Sequence, residues 1–431
     1  MHPMLSSTAA ALCVFSILLV PLAVAGLALI YSGLGRSRSA AHTMMASLCV
    51  MAVAAVVYFI CGFAWQGYGS LPGHAIAFRG KPWNWISTGH YFLRGLALDG
   101  SPASLAAWLG MLSVGLAAII PLGSGAERWK LRACCASTVV LAGWTYPLFA
   151  HWVWGGGWLA QLGADYGLGR GFVDAGGASA IQAVGGLTAL SIAWILGPRR
   201  GKYAAGGMPA ALPGHNVVLV LVGCLVALPG WTGLNAAGSL LFLGIEPSRV
   251  AVVAINTLLA ASAGALAAAG MTLSRFGKPD ASLTANGWVS GLVAGSAGCA
   301  LVTPLAAAFI GLVAGALATL SVEWFEARLG VDDPGGAVSV HAVAGIWGVM
   351  AVGLFARAAQ GGAGQWLAQL VGVATLLGFV FPLTYGLNRL LNRFYPYRVE
   401  PEGERQGMDL YELGAGAYPE FITHTDEFTL G

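Results

Sequence analysis

The chain has 431 residues, 57% of them hydrophobic and 9% charged, against roughly 25% charged residues in an average soluble domain. A water-soluble globule is excluded, and an all-α integral membrane protein is expected. A net charge of +3, spread along such a chain, offers no basic patch for nucleic acid. The seven cysteines form no C-x-x-C pair or Cys/His cluster, so neither a disulfide framework nor a metal site is indicated. No nucleophile stands with a base and an orienting group; neither an enzyme nor a cofactor is expected.

Eleven apolar segments have membrane-spanning length, at 8–33, 41–66, 101–124, 133–153, 176–197, 216–238, 249–273, 284–303, 305–325, 335–357 and 366–388. The first begins close to Met1 without a basic leader or an A-x-A cleavage site, so it reads as a retained helix. Small residues abound, with 63 glycines, as close helix packing in lipid requires. An odd number of spans puts the termini on opposite sides. With the N-terminus outside, the inner segments GRSR, ERWKLR, PRRGK, SRFGK, EARLG and the tail hold 15 of the 21 basic residues, which predicts an N-out, C-in protein. The predicted organisation is a transmembrane domain over 1–390 and a cytoplasmic tail over 391–431.

Within the chain, DAGGASAIQAVGGL (174–187) aligns with DPGGAVSVHAVAGI (333–346) at seven identities in fourteen positions. The two segments open the fifth and tenth predicted spans from opposite membrane sides, so the repeat is inverted, with halves over about 8–197 and 216–357. Inverted repeats build many transporters, whose path lies near the midplane where the halves meet. The alignment pairs Asp174 with Asp333 and Gln182 with His341. Eight residues of helix carry each polar side chain about 12 Å beyond its aspartate, toward mid-membrane, where the two are expected to be neighbours. Both aspartates read as helix N-caps, with Pro334 at the first helical position behind Asp333; Asp174 reads equally as a functional anion. His341 reads either as a core histidine bonded across helices or, as ionisable residues at membrane depth usually do, as functional.

The stretches AHWVWGGGW (150–158), DAGGASAIQ and DDPGGAVSVHAVAGIWG resemble the ammonium transporter and Rhesus protein family. YSGLGRSRS, GAERWKLR, GWTGLNAAGS, GKPDASLTANG and the tail RVEPEGERQGMDLYELGAGAY follow in the family's order. The resemblance implies an eleven-helix subunit of inverted five-helix halves plus a final helix, a homotrimer in the cell membrane, and one narrow pore per subunit for ammonium or ammonia. Trp154 matches the vestibule tryptophan that holds a cation against its ring, Asp174 the aspartate supporting that site, and His341 the second of two paired pore histidines. Several positions depart from the pattern. Gln182 replaces the first histidine. The gating phenylalanines fall on Ser113, or Leu112 one register away, and on Leu234. The vestibule serine falls on Gly238, with Ser239 beside it. About eight residues, in GADYGLGRG, are added before Asp174. The tail keeps Gly407, Asp409 and Tyr418 but carries Leu413 and Ala415 where His-Gly-Glu is usual; it resembles the segment through which trimeric nitrogen-status signal proteins act. The expected function is ammonium or ammonia transport, the alternative an ammonium sensor with weak or no conduction.

Overall fold

The computed structural model describes residues 5–69, 73–203, 207, 209–356 and 363–421. Residue 357, at the edge of the tenth predicted span, and 422–431 of the predicted tail lie outside the described residues. The chain is a mostly helical, multi-pass membrane protein. Among the described residues ten helices are long and apolar enough to cross a bilayer: α1 (Ser7–Leu34), α2 (Ser37–Gln66), α3 (Pro102–Gly125), α4 (Leu131–Tyr166), α5 (Ala178–Leu196), α6 (Val217–Phe242), α7 (Pro247–Phe276), α9 (Pro304–Leu329), α10 (Val338–Phe355) and α11 (Gly364–Phe394). The eighth predicted segment forms a helix of only 16 residues, α8 (Ala281–Ser296), and the rest of it turns. Its shortness has a local cause. Carbonyls at its end accept from the loop before α5, with Ala175 N–H donating to Ala297 O at 3.0 Å and Gly176 N–H to Ser296 O at 3.1 Å.

The all-α expectation misses an antiparallel hairpin, β1 (Gly73–Phe78) and β2 (Lys81–Ser87). Arg79 and Gly80 form its turn with φ of 50° and 77°, the twist that two-residue hairpin loops favour. The hairpin is anchored through tryptophans. Trp83 stacks on Trp158 at 4.6 Å, and Trp152 Nε1–H donates to Trp85 O at 2.8 Å. These contacts define a hairpin end of the bundle, opposite a tail end.

At the tail end the loops are knitted by buried charge. Arg199 donates to both Asp332 oxygens, at 2.9 and 3.0 Å, and to Glu127 at 2.6 Å. Glu127 also receives Arg36. The buried Arg128 donates to three backbone oxygens, those of Gly197, Ala126 and Asp332. Burial alone would raise the Asp332 carboxyl, but the two guanidiniums beside it hold it below the usual carboxylate range. Burial likewise lowers Arg128 to about 10, which leaves it charged at neutral pH.

The tail docks on this end. Asp409 accepts from the N–H groups of Ala41 and His42 at 3.1 and 2.7 Å, capping the α-helical part of α2, which starts at Ala40, from 367 or more residues away. Glu400 takes Lys130 at 2.6 Å, Glu412 takes His42 at 2.8 Å, and Tyr418 meets His215 at 3.0 Å.

Removing one member of a buried ion network strands the others. Asp332→Asn is expected to cost about 3–5 kcal/mol at neutral pH, read as thermal unfolding of the detergent-solubilised protein. Because the folded carboxyl is depressed, its contribution is complete above about pH 4 and is lost as the pH falls below its folded value; the gap between wild type and variant should close on acidification. A variant that melts with the wild type at neutral pH would contradict this role.

Candidate functional site

The site begins with two helix starts. A helix that opens inside the protein leaves its first four N–H groups without partners. Asp174 answers those of α5: its carboxylate accepts from the N–H groups of Gly177, Ala178, Ser179 and Ala180 and from Ser179 Oγ, at 2.5–3.2 Å. Asp333 does the same for α10, accepting from Ala337 N–H and Val338 N–H at 3.0 and 2.8 Å and from Ser124 Oγ at 2.7 Å. Pro334 lies in the turn between this aspartate and the helix rather than at its first position. Gly177 and Gly336, equivalent in the repeat, both take the left-handed backbone, with φ of 86° and 64°. Gly335 N–H donates to Gly123 O at 3.0 Å, just as Gly176 docks on α8. Each helix then opens with a wide π turn, Ala178–Ala183 and Val338–Val343, a feature frequent at functional sites. Gln182 and His341 lie in these turns.

The two helices cross with their backbones in contact. A Cβ on Gly186 would come within 2.3 Å of Ala342 N, and one on its repeat partner Gly345 within 2.5 Å of Ala178 O. This crossing brings Gln182 and His341 together. His341 Nδ1 lies 2.7 Å from Gln182 Oε1, which only accepts, so Nδ1–H is the donor. In the neutral imidazole Nε2 is then an acceptor, and it receives the Tyr31 hydroxyl at 3.0 Å. All three residues are buried. Among the described residues, Gln182 Nε2 has no hydrogen-bond partner.

Towards the hairpin end, Trp154, Asp174, Arg170, Phe172, Phe242 and Leu243 help line a cavity of about 150 Å³. Trp154 Nε1–H donates to Asp174 O at 2.7 Å, so the capping residue also orients the tryptophan. One Trp154 face is covered by Phe242, stacked at 4.5 Å and nearly parallel. Ser239 is buried, its Oγ 3.3 Å from Cys299 Sγ. At Gly238 a Cβ would come within 2.1 Å of Ala175 O, so no serine fits this backbone. Ser113 on α3 and Leu234 on α6 are buried as well, and Leu112 is half-buried. Sequence reasoning missed three residues: Tyr31, which opens the quoted YSGLGRSRS; Phe242 on the tryptophan; and Arg170 within the added GADYGLGRG.

The model of the ammonium transporter family matches residues 10–418. The chain belongs to the ammonium transporter family. Ammonium transporter Amt2 of Archaeoglobus fulgidus is 36% identical over 94% of this chain and 87% of its own length. The ammonium transporter of Bacillus subtilis is 32% identical over 94% and 96%. Among solved structures, a sensor Amt protein superposes with a TM-score of 0.84 at 28% identity, over 94% of this chain and 98% of that one. Candida albicans Mep2 shares the fold, with a TM-score of 0.79. In this member of the ammonium transporter family, the histidine at the helix crossing has an amide and a phenol as its two partners.

Tyr31→Phe removes one of those partners and leaves a buried acceptor unpaired, at a cost of about 1–3 kcal/mol. The expected outcome is a lower thermal unfolding temperature for the purified variant, with the α5–α10 crossing retained. Wild-type stability in Tyr31→Phe would show that the hydroxyl is not bonded to the ring.

Proposed function

We propose that this chain carries ammonia across a cell membrane through a narrow path in each subunit, after ammonium arriving at the hairpin end has left its proton behind. Whole-length kinship with relatives named as ammonium transporters supports transport over the sensor reading and over catalysis. The observation that carries the neutral species is the free amide of Gln182. A fully buried N–H donor without a partner is costly, and what relieves it is an acceptor. Ammonia has a lone pair and accepts; ammonium has none and only donates. The same pair resists proton relay: a glutamine amide does not take up a proton as an imidazole does, so Gln182 and His341 do not pass one between them. A bare cation at the bilayer centre would cost several kcal/mol besides.

This reading takes the pore to lie where the inverted halves meet, each half contributing an aspartate-capped helix and a mid-membrane polar residue. It takes α8 as an eleventh crossing, completed by the turn after it. The hairpin end, with the N-terminus, faces outside, and the tail end, rich in basic residues, faces the cytoplasm. The working assembly is a homotrimer in the plasma membrane, whose docked tail is the segment a nitrogen-status signal protein would grip. Trp154 and Asp174 shape the outer cavity; Ser113, Leu234 and Ser239 belong to the walls of the path.

Protein reconstituted in vesicles and given an ammonium gradient should raise internal pH at a rate that does not respond to imposed voltage. Net charge movement would respond, since 100 mV is worth about 2.3 kcal/mol per charge. Gln182→His, which supplies a second imidazole, is expected to add a voltage-dependent current. A current in the wild type that follows voltage, or vesicles no more permeable than protein-free ones, would overturn this reading.

A further inference from the structure

The cavity at the hairpin end contains a charge of the wrong sign for a cation site. Arg170 lies on its wall in a loop whose flanking glycines, Gly169 and Gly171, have φ of 57° and 82°. The loop is pinned from α11: Arg170 N–H donates to Gln365 Oε1 at 3.0 Å, and Gln365 Nε2–H to Gly171 O at 2.9 Å. The guanidinium itself is exposed and has no hydrogen-bond or ion-pair partner among the described residues. Among the described residues lining the cavity Asp174 is the one acidic residue, and five donors already occupy its two carboxylate oxygens, about as many as a carboxylate can accept. Trp154 offers a cation at most one ring face, because Phe242 covers the other.

We infer that Arg170 is a specificity-determining residue of this cavity: its fixed positive charge lowers the affinity for ammonium. It keeps the outer site from becoming a trap for the cation. The inference rests on the transport reading for its place in the cycle, but its effect is on binding and is measured separately. A cavity of 150 Å³ is about 7 Å across. Two like charges separated by about that distance repel enough in water to lower affinity about threefold.

The test is calorimetric titration of detergent-solubilised protein with ammonium chloride at low, constant ionic strength, paired with vesicle flux. Arg170→Gln is expected to tighten ammonium binding about threefold, Arg170→Lys to bind as the wild type, and Arg170→Glu to bind most tightly. The differences should shrink toward 1 M salt, where the screening length falls to about 3 Å. Equal affinities in the wild type and all three variants would overturn the inference. If the wild type binds ammonium but passes none, the transport reading fails while the affinity series still decides the role of Arg170.

Discussion

A helix that begins inside a membrane protein has first-turn amides that no water reaches, and this constraint organises the molecule. Backbone polar groups at membrane depth must be satisfied by the protein itself. Here a carboxylate meets the requirement twice, at Asp174 and Asp333, each behind a glycine in the left-handed region. Once these caps are set, the rest of each helix start is determined: a π turn follows, and the eighth residue after the aspartate points into the crossing. Asp174 also fixes Trp154 through its carbonyl, so one residue sets both the cavity wall and the polar pair.

The chemistry of the crossing follows from what stands opposite His341. An amide oxygen on one ring nitrogen and a phenol on the other define a tautomer and leave the Gln182 N–H₂ as the unfilled donor. Such a pair receives a hydrogen-bond acceptor and has no means of passing a proton along. Arg170 extends the same preference to the cavity above it, where no open carboxylate among the described lining residues balances the guanidinium. Together, a cation-averse cavity and a donor at depth favour a small neutral base. The tail end makes a different contribution: Arg199, Asp332, Glu127 and Arg128 lock the loops that the tail then covers, holding the helix starts in register.

Much of this was legible in the sequence because the chain repeats itself. Aligning 174–187 with 333–346 pairs Gln182 with His341, and the hydrogen bond joins those two residues, 159 apart. Apolar length found the helices, but it overran α8, whose last segment turns to meet the loop before α5. The residues that escaped notice are those with no local signature. Tyr31 lies 310 residues from the ring it bonds, and nothing in its own helix distinguishes it from a buried aromatic. The hairpin was hidden by an uncommon Arg-Gly turn, and the stacking of Phe242 on Trp154 is purely tertiary. Gly238 was read as a lost serine; the 2.1 Å approach of Ala175 O shows a backbone that excludes any side chain there. Pro334 looked like a first helical residue, but it lies in a turn, and the helix starts only beyond the left-handed Gly336.

The central claim is that Gln182 and Tyr31 hold His341 as a neutral imidazole with its proton on Nδ1, leaving the amide of Gln182 to serve the substrate. Nitrogen NMR of histidine-labelled protein in lipid nanodiscs, with the His341 signals identified by their loss in His341→Asn, reads that state directly. The account predicts a protonated Nδ1 and an unprotonated Nε2 at neutral pH. A proton on Nε2 instead, or on both nitrogens, would contradict it.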